Sequence, residues 1–133
     1  MADYSATPLA RKLGMQDGHT VRVIGAPPTF LDDLEPLPDV RLVSRATRET
    51  DVIVVFVGRE AQLSRQLRTL PAQLATAGGL WIAWPKKSSR LDSDLTFTTV
   101  QDLGLATGLV DNKSCAIDDD WQALRFVRRR RDR

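Results

Sequence analysis

Thiols and imidazoles are almost missing from this chain. One cysteine, Cys115, and one histidine, His19, occur in 133 residues. A single thiol excludes an intramolecular disulfide and a cysteine-based zinc site. A catalytic cysteine–histidine pair would need the two side by side. His19 precedes the first apolar run and Cys115 lies inside a late one, so a structural cysteine and a solvated histidine are expected. Long apolar runs are also lacking. None approaches a membrane span, and the start, MADYSATPLARKLG, has no apolar signal core. A cytoplasmic location is the expectation. Net charge is only +2, too little to argue for nucleic acid by itself. What remains is ordinary: 42% hydrophobic and 27% charged residues. That balance fits one folded domain with a single core rather than disorder.

The chain alternates between two periods. Thr7-Pro8 reads as a hydroxyl cap followed by proline at the first helical position. Leu9 and Leu13 lie one turn apart, and Gly14 ends that helix in a left-handed conformation. Asp17-Gly18 is a turn. Val21–Ala26 is a β-branched strand, stopped by Pro27-Pro28. One helical turn is expected around Phe30–Leu34, and a short, doubtful strand at Val40–Ser44. Asp51–Gly58 is continuously apolar, as in a parallel strand covered on both faces. Leu63, Leu67, Leu70 and Leu74 then fall on one helix face. Pro71 should kink that helix or start a second segment, and Gly78-Gly79 should end it. Leu80–Trp84 is a second buried strand. A helix near residues 96–107 turns Phe97, Val100 and Leu103 inward. Lys113–Asp118 and Ala123–Arg129 form a hairpin through Asp118-Asp119-Asp120-Trp121.

Strands alternating with helices predict an α/β domain over 1–133: a small Rossmann-like fold with a mostly parallel sheet and a C-terminal antiparallel hairpin. Residues 128–133 are a basic end.

Several blocks carry a resemblance. KLGMQDGHTVRVIGAP (12–27) resembles the opening of a class I methyltransferase-type Rossmann domain. TDVIVVFVGREAQLSRQLRTLPAQLATAGGLWIAWPKK (50–87) is similar to its later strand–helix–strand unit, and VDNKSCAIDDDWQALRFVRR (110–129) to its closing hairpin; the resemblance implies that the strands, numbered along the chain, lie in the order 2-1-3-4-6-5. Longer blocks look like a bacterial family designated domain of unknown function 3052: YSATPLARKLG, LWIAWPKK, GLVDNKSCAIDDDWQALRFV and the terminal DR. That resemblance implies no catalytic residue. The methyltransferase pattern is broken where a cofactor would sit. A dinucleotide-type loop needs several glycines so that backbone N–H groups can approach the ligand. Here the first strand leads to Gly25-Ala26-Pro27-Pro28, with two residues that lack an N–H. The second ends at Ser44-Arg45 instead of an acidic residue that could hold a ribose. No cofactor is expected.

Ligands of open α/β sheets bind outside the carboxyl ends of the strands. That edge collects Gly58-Arg59-Glu60, at a helix start suited to an anion, together with Trp84, Lys86 and Lys87. These six are the candidate ligand-binding residues, with Ser88 or Ser89 adding a hydroxyl. The plainer alternative is that the lysines carry a buried strand into water. Trp81 and Trp84 point to opposite faces. Asp118, Asp119 and Asp120 splay apart along a turn and read as hairpin polarity, not as a metal site. Arg128, Arg129, Arg130 and Arg131 either protect an edge and keep the chain soluble or contact nucleic-acid phosphates. The reading is a non-catalytic module for a protein partner or an anionic small molecule. The alternatives are a reduced methyltransferase-like enzyme with a nucleotide-derived cofactor and, more weakly, a nucleic-acid-associated protein.

Overall fold

The computed structural model describes residues 7–133. In chain order the elements are α1 (Leu9–Lys12), β1 (Thr20–Ile24), α2 (Phe30–Asp33), β2 (Arg41–Val43), β3 (Thr50–Phe56), α3 (Glu60–Leu67), α4 (Leu70–Gln73), β4 (Leu74–Pro85), α5 (Phe97–Leu105), β5 (Val110–Ala116) and β6 (Trp121–Val127). A 3-10 turn at Arg130–Asp132 follows. The six strands form one sheet in the order β2-β1-β3-β4-β6-β5. Neighbours run parallel from β2 to β4. β6 is antiparallel to both β4 and β5.

The continuous apolar runs occupy the centre of the sheet, as their composition requires. Val52 to Val57 and Leu80 to Trp84 are all at most 3% exposed. Alternation splits their side chains between two cores. Ile53, Val55, Ile82 and Trp84 pack under α3, α4 and α5, with Leu63, Leu67, Leu70 and Val100. Val52, Val54, Phe56 and Trp81 pack under α1 and α2, with Ala10, Leu13, Phe30 and Leu34. The Trp81 indole donates to Leu13 O at 2.9 Å, which fixes the short α1 to the sheet.

Four local expectations are corrected. Thr7 does not cap α1: Pro8 occupies the N-cap, and no side chain bonds to the first turn. Gly14 does end α1 in the left-handed region, at φ +82°. The leucine helix stops at Leu67, Pro71 opens the separate α4, and Leu74 already belongs to β4. Leu70 and Leu74 still face the same core, so the four-residue spacing is satisfied without a helix between them. Gly78-Gly79 therefore lies inside a strand. A Cβ at Gly78 would come 2.8 Å from Asp51 O, so crowding from β3 demands glycine there, not a helix end. Last, Phe97 turns outward, 46% exposed, with its ring tilted against buried Trp84 (centroids 6.1 Å apart).

β2 exists, and its shortness explains how. Residues 44–49 alone return the chain to β3 and can span roughly 20 Å. A three-residue strand is only ~10 Å long, and skipping over β1 adds ~10 Å sideways. The return is feasible without a crossover helix, and Glu49 at φ +60° makes the reversal.

Candidate functional site

The exit of β4 builds the site. Pro85 ends the strand, and Lys86 to Ser89 form a turn closed by Ser89 N–H on Lys86 O (2.9 Å). The β5–β6 hairpin holds that turn: Lys86 N–H donates to Asp120 O (2.7 Å), and Ser89 Oγ donates to the Asp120 carboxylate (2.8 Å). Asp118 shapes the hairpin tip by accepting the N–H groups of Asp120 and Trp121, both at 2.8 Å. The carboxylates of Asp118 and Asp120 are thus spent on the turn. Among the described residues no group of three His, Cys, Asp or Glu side chains forms a metal site.

From Arg90 the chain runs along the end of α3 before entering α5. Asp92 pairs with Arg59, and Asp94 accepts the Glu60 N–H at 2.8 Å. Gly58 N–H donates to Gln62 Oε1 at 3.0 Å. The expectation of free donors at Gly58–Glu60 is therefore corrected, because the chain supplies its own carboxylate to the start of α3. Arg59 and Glu60 remain exposed, but they stand behind Asp92 and Asp94.

Between this segment and the sheet lies a cleft of about 600 Å³, lined by Trp84, Lys86, Lys87, Asp94, Leu95, Phe97 and Gln122 among others. The start of α5 opens into it through Thr96, Phe97 and Thr98, and Thr96 caps that helix by accepting the Thr99 N–H at 3.2 Å. Lys86 is half-buried and Lys87 exposed. Neither forms an ion pair among the described residues, where the single pair is Arg59–Asp92. Trp84 is only 2% exposed, yet its indole donates no hydrogen bond among the described residues. Its ring nevertheless borders the cleft. A second depression, about 490 Å³, shares Trp84, Lys86 and Lys87 and adds Ser88 and Cys115.

Of the six residues expected at the site, Trp84, Lys86 and Lys87 converge, whereas Gly58, Arg59 and Glu60 do not line the cleft. Sequence reasoning missed Asp94, Phe97, Gln122 and the start of α5. The signal for the last was present: Thr96 is a hydroxyl directly before an apolar helical pattern.

The remaining candidates lie elsewhere. His19 Nδ1 accepts the Gln16 N–H (3.3 Å) before β1, remote in the sheet from Cys115 on the far edge strand. Burial raises the Cys115 thiol above its ordinary pKa, against a smaller lowering from nearby Lys12. Arg128 is consumed structurally, donating to Pro71 O (3.0 Å) and Leu74 O (2.6 Å). Arg129 to Arg131 are exposed.

The expected cofactor crevice is the switch point between β1 and β3. Gly25, at φ +70°, is used in the turn itself, and a Cβ there would come 3.1 Å from Phe56 O. Phe30 then lies edge-on against Phe56 (4.8 Å), and Phe56 against Trp121 (5.0 Å). Aromatic rings fill this corner. With Pro27-Pro28 unable to donate and Ser44-Arg45 in place of a carboxylate, these residues do not fit an adenosyl cofactor.

Comparison with protein-family models and with curated proteins finds no match, so the resemblance to family 3052 goes no further than the quoted blocks. Solved structures do match. A TehB-like SAM-dependent methyltransferase from Corynebacterium glutamicum is 12% identical, with 94% of this chain and 89% of that one covered and a TM-score of 0.57. A SAM-dependent methyltransferase from Aquifex aeolicus is 13% identical over 87% and 85%, at 0.60. A possible exported protein from Bordetella parapertussis is 14% identical over 90% of this chain, at 0.66, and the chain spans 65% of its length. At these identities the likeness is one of fold: this is a methyltransferase-like Rossmann domain. No helix among the described residues is long and apolar enough to cross a membrane.

Proposed function

We propose that the domain binds an anionic small molecule with an apolar or aromatic body in the cleft at the end of β4, and that it does so without methyl transfer. The observation that carries this is the pairing of apolar walls (Trp84, Leu95 and Phe97) with two lysines that have no partner among the described residues. The volume suits a small organic ligand. The two lysines outnumber the one lining carboxylate, Asp94, which is already engaged. The start of α5 adds a favourable field for negative charge. An acidic protein partner would use the same rim.

The fold favours a second reading, a reduced methyltransferase-like enzyme. Against it stand the filled corner at Phe30 and Phe56 and the donor-poor Pro27-Pro28 turn.

The test is calorimetry and thermal shift with aromatic carboxylates, nucleotides and S-adenosylmethionine, on wild type and Lys86→Ala at low and high salt. Binding of an anion that weakens about tenfold in the variant, and that weakens as salt rises, supports the first reading. Tight S-adenosylmethionine binding would replace it with the second. No response to any anion would leave the lysines as the wet end of a strand. Native mass spectrometry of protein taken from its own host adds an unbiased search for the ligand.

A further inference from the structure

A different cationic group sits at the amino end of β4, across the sheet from the cleft just described. Arg125 of β6 lies opposite Trp81 in the ladder, and its guanidinium rests over Gly79. A Cβ at Gly79 would come 2.7 Å from Arg125 Cζ, so glycine leaves the space in which the cation lies. A cleft of about 220 Å³ opens there, lined by Arg125, Arg133, Asn112, Thr76 and Gly78.

Its rim comes from an irregularity in the ladder. Thr50 pairs with Leu74, but Val52 pairs with Gly79. Two steps along β3 therefore face five along β4, and the extra length pushes Thr76 and Ala77 into solvent. Among the described residues the Arg125 side chain makes no hydrogen bond and no ion pair, and the side chains of Thr76 and Asn112 make no hydrogen bond. Arg133 also lines the cleft, with its Nε donating to Arg128 O at 3.0 Å, and burial, then Arg133, lower the Arg125 pKa from its ordinary value. Two guanidinium groups facing one cleft repel each other, and a half-buried cation without a counter-ion has lost hydration with nothing in return.

We propose that this cleft is a second anion site that takes one phosphate-type oxyanion, either free inorganic phosphate or the phosphoryl group of a small phosphomonoester. Guanidinium groups match tetrahedral oxyanions through parallel N–H donors. Thr76 and Asn112 add a hydroxyl and an amide. The volume lies below the ~300–1,000 Å³ of pockets that enclose whole organic ligands, so it suits a single anionic group. The site is independent of the β4-exit cleft and stands or falls without it.

The experiment is calorimetry and thermal melting with inorganic phosphate and with glycerol phosphate, against sodium chloride at matched ionic strength, on wild type, Arg125→Gln, Arg133→Ala and Lys86→Ala. Phosphate or its ester is expected to raise the wild-type melting midpoint by a few degrees. Arg125→Gln should lose about tenfold or more in affinity, as for a charged hydrogen bond, Arg133→Ala should lose less, and Lys86→Ala should match wild type. Binding by the ester alone assigns the site to a phosphorylated metabolite, and binding by both assigns it to the oxyanion itself. If neither ligand shifts wild type beyond chloride, or if Arg125→Gln binds as wild type does, the proposal is overturned. Should Arg125→Gln fail to fold, the exposed Arg133 decides: an unchanged affinity in Arg133→Ala rejects the site.

Discussion

Cys115 shows how a single side chain reports on its surroundings. Its thiol is held neutral mainly by burial, which places its folded pKa above the ordinary 9.0. A raised folded pKa contributes stability in full below the unfolded value, and that stability is lost as pH rises through the folded one. Stability should therefore fall above about pH 9 more steeply in wild type than in Cys115→Ala, as seen in melting curves across that range. Thiol-directed reagents should react with the native protein more slowly than with the unfolded chain. Gly104 offers a steric counterpart. A Cβ there would come 2.8 Å from Phe126 Cδ2 and closer still to two other ring atoms, and Phe126 is fully buried. Alanine is the better helix former by ~1 kcal/mol, but overpacking costs ~1–3 kcal/mol. Gly104→Ala is thus expected to lower the urea midpoint despite its propensity gain. At this scale half of the residues proposed for the site were found to lie together at the β4 exit. Lys86, Lys87 and Trp84 follow from a strand that ends in proline and lysine. Asp94 at the start of α3 was not foreseeable, because the carboxylate that fills that start lies 34 residues away from the N–H it accepts.

Elements were read best where one physical cause acted alone. β3 and the core of β4 are apolar on both faces, and only a covered central strand tolerates that. The segment between them was read less well, because Leu70 and Leu74 serve one core from two different elements. Periodicity records the face that is buried and not the backbone that carries it. Gly78 and Gly79 misled for a related reason: their need for glycine is imposed by β3 and by Arg125, both distant in sequence. Arg128 shows the same long-range dependence in a form that can be measured. It binds two backbone carbonyls where α4 gives way to β4. Bonds from a charged donor contribute about 1.5–3 kcal/mol each. Arg128→Ala should therefore destabilise the domain by at least ~1.5 kcal/mol in denaturant titrations. The same replacement at exposed Arg130 should stay within about 0.5 kcal/mol.

For the molecule as a whole, the α/β class and the single antiparallel strand were legible from an alternating pattern closed by a hairpin, whereas the strand order came from the resemblance to methyltransferase-type domains. The centre of the sheet is its point of greatest vulnerability. Val55 is fully buried, so Val55→Asp should leave the chain unfolded by circular dichroism at neutral pH, since no water or partner reaches that carboxylate. A variant that melted like wild type would place the core elsewhere. The insertion of β6 between β4 and β5 has a further consequence for synthesis. A ribosome delivers β4 well before β6, so during translation a strand whose second half is continuously apolar, with Trp81 and Trp84, is an open sheet edge awaiting its neighbour. Nascent chains of this protein must therefore wait for Trp121–Val127 to leave the exit tunnel before the sheet can seal. Until then they present a surface of the kind that holdase chaperones recognise.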